Sequence, residues 1–422
     1  MSGLQQVRAG EMETLLLECL RVPPAESAVQ RLPELQEHGW QELSELAQRQ
    51  GVASLLYSRL QAAGPVGQRS AASIQSLRSS HLLAALRATA IAAQLKEISE
   101  ALRGRSIEAI VLKGAFLAEA VYPSRALREM LDIDLLFDER ELPAAVEVLR
   151  GLGYEATKPF RVDAVLGVHR HLPPFFRKGA VASIEPHGSI GEPGRGLCAD
   201  FTELRKRAIP FEAVGGSPVF ALCPEDLLLH LSRHISYGHQ FDFGLKPYCD
   251  VAELLRVFGE ALDWSQVVER AMRCRIARGT YLTLRLAQEW MAAAVPDSAL
   301  AALEPPEAAE SILPEIREQV FSDGTRSARR GLSTAVARML ETPGLRARLK
   351  LLFDGIFLDR KVALAYQEAQ PGPAGIFSYY FQRVFGLLWR YGPLLAGSLR
   401  GDASLALRAK RTAAIDNWLA LD

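Results

Sequence analysis

The chain has 422 residues, with 49 Lys and Arg against 49 Asp and Glu, 49% hydrophobic and 23% charged residues. That composition excludes long disorder, a collagen-like repeat and a disulfide mini-protein, and at roughly 150 residues per domain it predicts two or three domains. A formal net charge of zero removes the simplest case for a nucleic-acid binder, though not a local basic patch.

From Met12 to about Arg103 the apolar residues recur at three and four, as in Leu15, Leu16, Cys19 and Leu20, which predicts a helical region over 1–104. Its longest helix is expected from Ser70 to Arg103, a stretch free of Pro and Gly. At Ser106 the period changes. Ile107 to Leu112 reads as a strand, Ala115 to Val121 as a helix closed by Tyr122-Pro123, and Leu131 to Phe137 as a second strand. A helix over Leu142 to Leu149 and a third strand from Val181 complete an α/β unit over 105–222. From Pro224 the helical period returns and defines a third region, 223–422, with loops expected at Gly238 to Pro247, Ala294 to Pro306 and Gln370 to Gly375. The polar start, Met1 to Glu13, is unlike a signal peptide. The most apolar run, Ile376 to Leu395, is interrupted by Arg383, Arg390 and Pro393, so no membrane span is expected. Five cysteines without a C-x-x-C pair predict reduced core thiols and a cytoplasmic location.

The segment that promises chemistry is Leu131-Asp132-Ile133-Asp134-Leu135-Leu136. On a strand, residues two apart share a face, so Asp132 and Asp134 project together while Ile133 points into the core. Two carboxylates at a buried strand end repel one another and lose solvation unless a cation compensates. Oxygen ligands of this kind suit Mg²⁺ held jointly with substrate phosphates; the alternative is a solvated strand end. Upstream, Val111-Leu112-Lys113-Gly114-Ala115 is a strand, a turn and a helix, a geometry that aims N–H groups at an anion, with Gly114 permitting close approach. A phosphate site beside metal carboxylates is what phosphoryl or nucleotidyl transfer needs. Glu185, at the end of the third strand, is the candidate third acid, and His187 shares its face if the strand continues past Pro186.

These segments, together with Tyr122-Pro123, Arg128, Gly153-Tyr154, Ile184-Glu185-Pro186-His187, Pro224-Glu225-Asp226 and Tyr248-Cys249-Asp250, resemble the uncharacterised nucleotidyltransferase family of the DNA polymerase β-like superfamily. The resemblance covers about residues 45 to 255. It implies a mixed α+β fold in which a small polymerase β-like nucleotidyltransferase core is flanked by helical regions. It further implies that Asp132, Asp134 and Glu185 hold Mg²⁺, or alternatively Mn²⁺, with Glu185 orienting or deprotonating an acceptor hydroxyl. Lys113 and Gly114 would lie near the triphosphate of an NTP donor such as ATP. Arg128 would pair with phosphate oxygens, or else with Asp138 or Glu129, and His187 would serve the nucleotide or the structure. The superfamily's usual serine after the glycine is Ala115 here, and the aromatic that often follows E-x-H is Gly188.

The remaining features rank lower. His169, Arg170, His171, Arg177 and Lys178 form a cationic stretch that reaches substrate or is simply solvated. His230 and His234, four apart with His239 nearby, can share a helix face and bind a metal, or line a cleft. Arg326, Arg329, Arg330, Arg346, Arg348, Lys350, Arg360 and Lys361 predict a basic helical face open to RNA or an acidic peptide, or plainly solvated. Phe377, Tyr380, Phe381, Phe385, Leu388 and Trp389 read as a packing stripe or a partner surface. The expected activity is transfer of a nucleoside monophosphate to an unidentified acceptor, whether small molecule, peptide, protein or RNA. The alternative is a degenerate nucleotide-binding or scaffold protein.

Overall fold

The computed structural model describes residues 3–64, 70–157, 160–166, 169–191, 199–213, 217–307, 309–322 and 402–422, with scattered residues between 337 and 386. Five helices lead: α1 (Gly3–Leu20), α2 (Glu26–Arg31), α3 (Glu37–Arg49), α4 (Ala53–Ala62) and α5 (Ala71–Arg103). The start of α5 is set by Ser70, whose hydroxyl accepts from the Ser73 N–H, and Gly104 caps its other end. Leu77, Ala84, Ala88, Ile91, Leu95, Ile98 and Leu102 are buried along it, steps of three, four and seven that draw one apolar stripe.

The chain then builds β1 (Ile110–Val111), α6 (Gly114–Phe116), β2 (Asp132–Leu136), α7 (Leu142–Gly151), β3 (Glu155–Ala156), α8 (Val162–Leu166), β4 (Phe175–Phe176), β5 (Ser183–His187), α9 (Phe201–Arg207), β6 (Ile209–Ala213) and β7 (Ser217–Ala221). The strands form one seven-stranded sheet in the order β3-β4-β5-β2-β1-β7-β6. β2 runs parallel to β5 and β1 parallel to β7; the other pairs are antiparallel. This is a mixed sheet in an α+β architecture, consistent with the expected class. Helices α10 (Pro224–Arg233), α11 (Lys246–Phe258), α12 (Trp264–Arg273), α13 (Ala277–Met291), α14 (Asp297–Leu303) and α15 (Leu313–Phe321) follow, with a C-terminal helix Ala403–Leu419. Buried apolar side chains from the leading helices, the sheet and the following helices form one continuous cluster. α10 and α11 each carry proline in the first turn, where its missing N–H costs nothing.

Several local expectations are corrected. The strand expected from Ile107 is only Ile110–Val111, because β1 pairs at those two residues with both neighbours. The helix expected to Val121 is one turn of α-helix followed by a π-helical turn, Leu117–Val121. The expected loop Ala294 to Pro306 contains α14, whose Ala299, Leu300 and Leu303 are buried. The cysteines do not all remain thiols: Cys19, Cys223 and Cys249 are free and buried, but Cys274 is in a disulfide, and Cys198 lies outside the described residues. Most of the basic C-terminal face lies outside them, as do Phe377, Leu388 and Trp389 of the aromatic stripe and the loop at 370–375. No helix among the described residues is long and apolar enough to cross a membrane.

Candidate functional site

The site is made where β2 and β5 run side by side. Their register sets Asp132 opposite Ser183, Asp134 opposite Glu185 and Leu136 opposite His187. Because the strand continues through Pro186, Glu185 and His187 share the face that carries Asp132 and Asp134. One ligand atom from each of Asp134, Glu185 and His187 lies within 4.8 Å of the others. Asp132, one strand repeat toward the tip, is exposed, while Asp134 is 4% exposed. The described residues contain no second group of His, Cys, Asp and Glu arranged this way.

Asp134 is the hub. Its Oδ2 is 3.1 Å from the Lys113 Nζ and its Oδ1 is 3.0 Å from the His187 Nε2. Burial alone pushes this carboxyl up, but the Lys113 ammonium and then the His187 hydrogen bond outweigh it and hold the group far below the usual carboxylate range. Burial lowers His187 to about 4 against the pull of Asp134, so the ring is neutral near pH 7. An ionised Asp134 can only accept, so the His187 Nε2 carries the proton and donates. Its Nδ1 is then a buried lone pair with no hydrogen-bond partner among the described residues. Glu185 behaves in the opposite way: burial, then the charges of Asp134 and Asp132, raise its carboxyl to about 7.

Lys113 reaches Asp134 from the β1–α6 turn at a conformational cost. Its φ is +44°, a region where side-chain-bearing residues are strained. Beside it, a Cβ on Gly114 would stand 3.5 Å from the Arg128 guanidinium, an ordinary contact distance, so the arginine lies against the turn. Arg128 is paired with neither Asp138 nor the Glu129 carboxylate. Its Nε donates to the Asp250 Oδ1 at 2.7 Å and its NH1 to the Glu129 carbonyl at 2.6 Å, while Asp138 pairs with Arg140. The Tyr122 Oη also donates to Asp250, at 2.9 Å. Tyr122, Arg128 and Asp250, separate in the sequence, are thus one buried polar knot that ties α11 to the turn.

Other side chains that sequence reasoning left aside prove to support or border the site. The Gln94 side chain, buried on α5, accepts from the Val181 and Ala182 N–H groups and donates to the Ala182 carbonyl and the Tyr154 Oη. It clamps the entry to β5; a lone polar residue in an apolar stripe was its sequence signal. Arg177 is no phosphate contact here: it makes a two-pronged ion pair with Glu97 and stacks over Tyr154. The His171 ring lies 5.1 Å from that of His187. His234 packs against His239 and Phe243, and His230 is buried with its Nε2 unpartnered among the described residues. Burial, and then the charge of Lys113, holds His230, His234 and His239 all below the usual imidazole range. The position of Gly188 is closed: a Cβ there would come within 2.8 Å of Leu166 and 3.1 Å of Glu139 and Leu142.

Hard carboxylate oxygens, an ammonium standing against Asp134, and a Glu185 whose carboxyl is raised by burial and by its neighbours' charges are the donor set that a divalent cation would suit. His187 then fits as the partner that orients Asp134 rather than as a ligand Mg²⁺ requires. No curated protein is significantly similar to the chain. Residues 36–292, more than half of the sequence, match the family model described as uncharacterised nucleotidyltransferase. The protein belongs to that nucleotidyltransferase family.

Proposed function

We propose that the protein is a divalent-cation-dependent nucleotidyltransferase with a polymerase β-like core, which takes Mg²⁺, with Mn²⁺ as a substitute, and moves a nucleoside monophosphate from an NTP to a second substrate. The observation that carries this reading is the convergence of Asp134, Glu185 and His187 within 4.8 Å next to the Lys113-Gly114 turn. Asp132, Asp134 and Glu185 would hold the metal, and His187 would keep Asp134 oriented through its Nε2–H. Bound there, the metal would neutralise the triphosphate and the departing pyrophosphate.

The chain's own groups would do the rest. Lys113 and Gly114 would face the triphosphate, and Arg128, fixed by Asp250, would add its charge beside Gly114. An acceptor oxygen would attack the α-phosphorus, the bond from that phosphorus to the bridging oxygen would break, and pyrophosphate would leave. The acceptor proton would pass to a carboxylate oxygen of Glu185. Residues 105–222 would supply these groups, with the helical regions 1–104 and 223–422 closing the site.

Calorimetric titration of the four nucleoside triphosphates with Mg²⁺, on wild type and on Asp134→Asn, tests the reading. Cation-dependent binding of a nucleotide, lost in a variant that still unfolds cooperatively, supports it. Absence of binding by folded wild type with either cation refutes it. A non-catalytic nucleotide-binding scaffold would bind the nucleotide and release no pyrophosphate with any acceptor supplied.

A further inference from the structure

Phe243 stands in a tightly fixed loop that turns it outward. Within the loop 239–244, the Gln240 N–H donates to the Ser236 carbonyl at 2.8 Å, the Phe241 N–H to the Ile235 carbonyl at 2.8 Å and the Asp242 N–H to the His239 carbonyl at 2.9 Å. Gln240 and Phe241 hold φ of +48° and +63°, a region where side-chain-bearing residues are strained. A Cβ on Gly244 would come within 2.9 Å of the Gln50 carbonyl, so the loop is pressed against the end of α3. Phe241 is buried in the core, whereas Phe243, two residues on, is 41% exposed.

Two imidazole rings lean on that phenylalanine. The His239 ring centroid lies 4.5 Å from that of Phe243 and the His234 centroid 5.7 Å, with 4.4 Å between the two histidines. Burial, then the charges of Lys113 and Arg170, lower His239 to about 4, so its ring is neutral near pH 7. A lone exposed phenylalanine needs no explanation. One that a strained loop presents, with two uncharged rings behind it, is a preformed aromatic surface.

Contacts on two sides tie this surface to the carboxylate site. The Lys246 Nζ, 5.6 Å from the Phe243 ring centroid, donates to the Glu129 carbonyl at 3.0 Å. That carbonyl also accepts from Arg128, whose guanidinium lies against Gly114, and Glu129 precedes Asp132 by three residues. On the other side, a Cβ on Gly238 would stand 3.8 Å from both the Arg170 guanidinium and the His234 Nδ1. The Arg170 carbonyl accepts from the N–H of Gly188 at 2.9 Å, the residue after His187. The three rings are thus linked to the chain entering β2 and to the chain leaving β5, the two strands that carry the acids.

We propose that Phe243, backed by His239 and His234, is the face on which the base of the donor nucleotide stacks. The assignment rests on the nucleotidyl-transfer reading, which puts the triphosphate at the Lys113-Gly114 turn and leaves the base to be held by other groups. An aromatic ring can stack on any base, because every base has a π-face. Phe243 then supplies affinity for the nucleoside half of the donor that neither the cation nor the phosphate contacts provide.

The test sets nucleotide against inorganic tripolyphosphate, which has the phosphates and no base. Each nucleoside triphosphate and tripolyphosphate are titrated calorimetrically, with Mg²⁺, into the full chain as wild type, Phe243→Ala and Phe243→Tyr, and thermal unfolding checks that each variant is folded. Expected is a nucleoside triphosphate that wild type binds more tightly than tripolyphosphate. Phe243→Ala should weaken that nucleotide at least about fivefold, the low end of base–aromatic stacking, and Phe243→Tyr, which keeps the ring, should stay within about twofold of wild type. Tripolyphosphate affinity should change less than about twofold throughout. Folded Phe243→Ala that binds the nucleotide as wild type does overturns the proposal, and so does tripolyphosphate affinity falling in parallel with nucleotide affinity, which would make Phe243 a support of the phosphate site. Failure of the underlying reading shows separately, as folded wild type that binds no nucleoside triphosphate with Mg²⁺ or Mn²⁺; the base assignment then falls with the reaction and not through Phe243.

Discussion

Glu185→Gln removes a carboxyl that the fold holds against its own charge. In wild type that carboxyl is raised from 4.5 to about 7 by burial and by the charges of Asp134 and Asp132. Below pH 4.5 the folded and unfolded chains both carry the proton, and the group contributes nothing to the pH dependence. Between 4.5 and 7 the unfolded chain releases the proton and the folded chain keeps it, so stability falls as pH rises. Each tenfold difference in proton affinity is about 1.4 kcal/mol, which puts the full loss by pH 8 at roughly 3 kcal/mol, or about 2 after allowing for partial solvent screening. Glutamine has no proton to lose. In urea unfolding series with a chelator present, wild type should lose stability across this window while Glu185→Gln stays flatter and becomes the more stable of the two at pH 8. A divalent cation, binding the folded state alone, should restore wild type by mass action and do less for the variant. Parallel stability profiles for the two proteins, or equal stabilisation of both by Mg²⁺, would refute the claim that Glu185 carries uncompensated charge in a cation site.

Three further outcomes follow from the same geometry. Asp250→Asn breaks the buried pair with Arg128 and weakens the Tyr122 bond; urea unfolding should show a loss of about 3–5 kcal/mol, and a loss under about 1 kcal/mol would mean that the knot is not structural. Lys113→Ala keeps a Cβ-bearing residue at the strained φ of +44° and leaves Asp134 without its ammonium. The melting temperature should therefore fall without divalent cation and recover with Mg²⁺ more than wild type gains, and no cation-specific recovery would contradict the reading of Lys113 as the charge that balances Asp134. Gln94→Leu removes the bonds to the Val181 and Ala182 N–H groups; amide exchange at these two positions should accelerate ahead of exchange elsewhere in the sheet, and unchanged protection would show that another element holds the start of β5.

The site's charge balance explains its composition. A buried aspartate is tolerated because an ammonium and an imidazole N–H meet its two oxygens, while burial raises the carboxyl of the neighbouring glutamate to about 7. Lys113, at a φ of +44°, reaches Asp134 from the β1–α6 turn.

Much of this was legible in the sequence because it depends on local geometry. The two-residue repeat alone sets Asp132 and Asp134 on one side of a strand, and the uninterrupted apolar stripe from Leu77 to Leu102 needs no partner to be read as a helix. Strands of two residues, such as β3 and β4, carry no period and exist only through pairing. The separation between an exposed Asp132 and a buried Asp134 also comes from the third dimension, since it reflects how far each stands from the rim of the sheet. Glu185 meets Asp134 because β5 chose β2 as its parallel neighbour. Arg128 found its acid 122 residues away in Asp250, where adjacent acids had been the obvious partners. Residue type and short-range periodicity decided which groups could do chemistry; the long-range pairing of strands and helices decided which of them meet, because proximity, burial and charge compensation are properties of the packed chain and not of any segment of it.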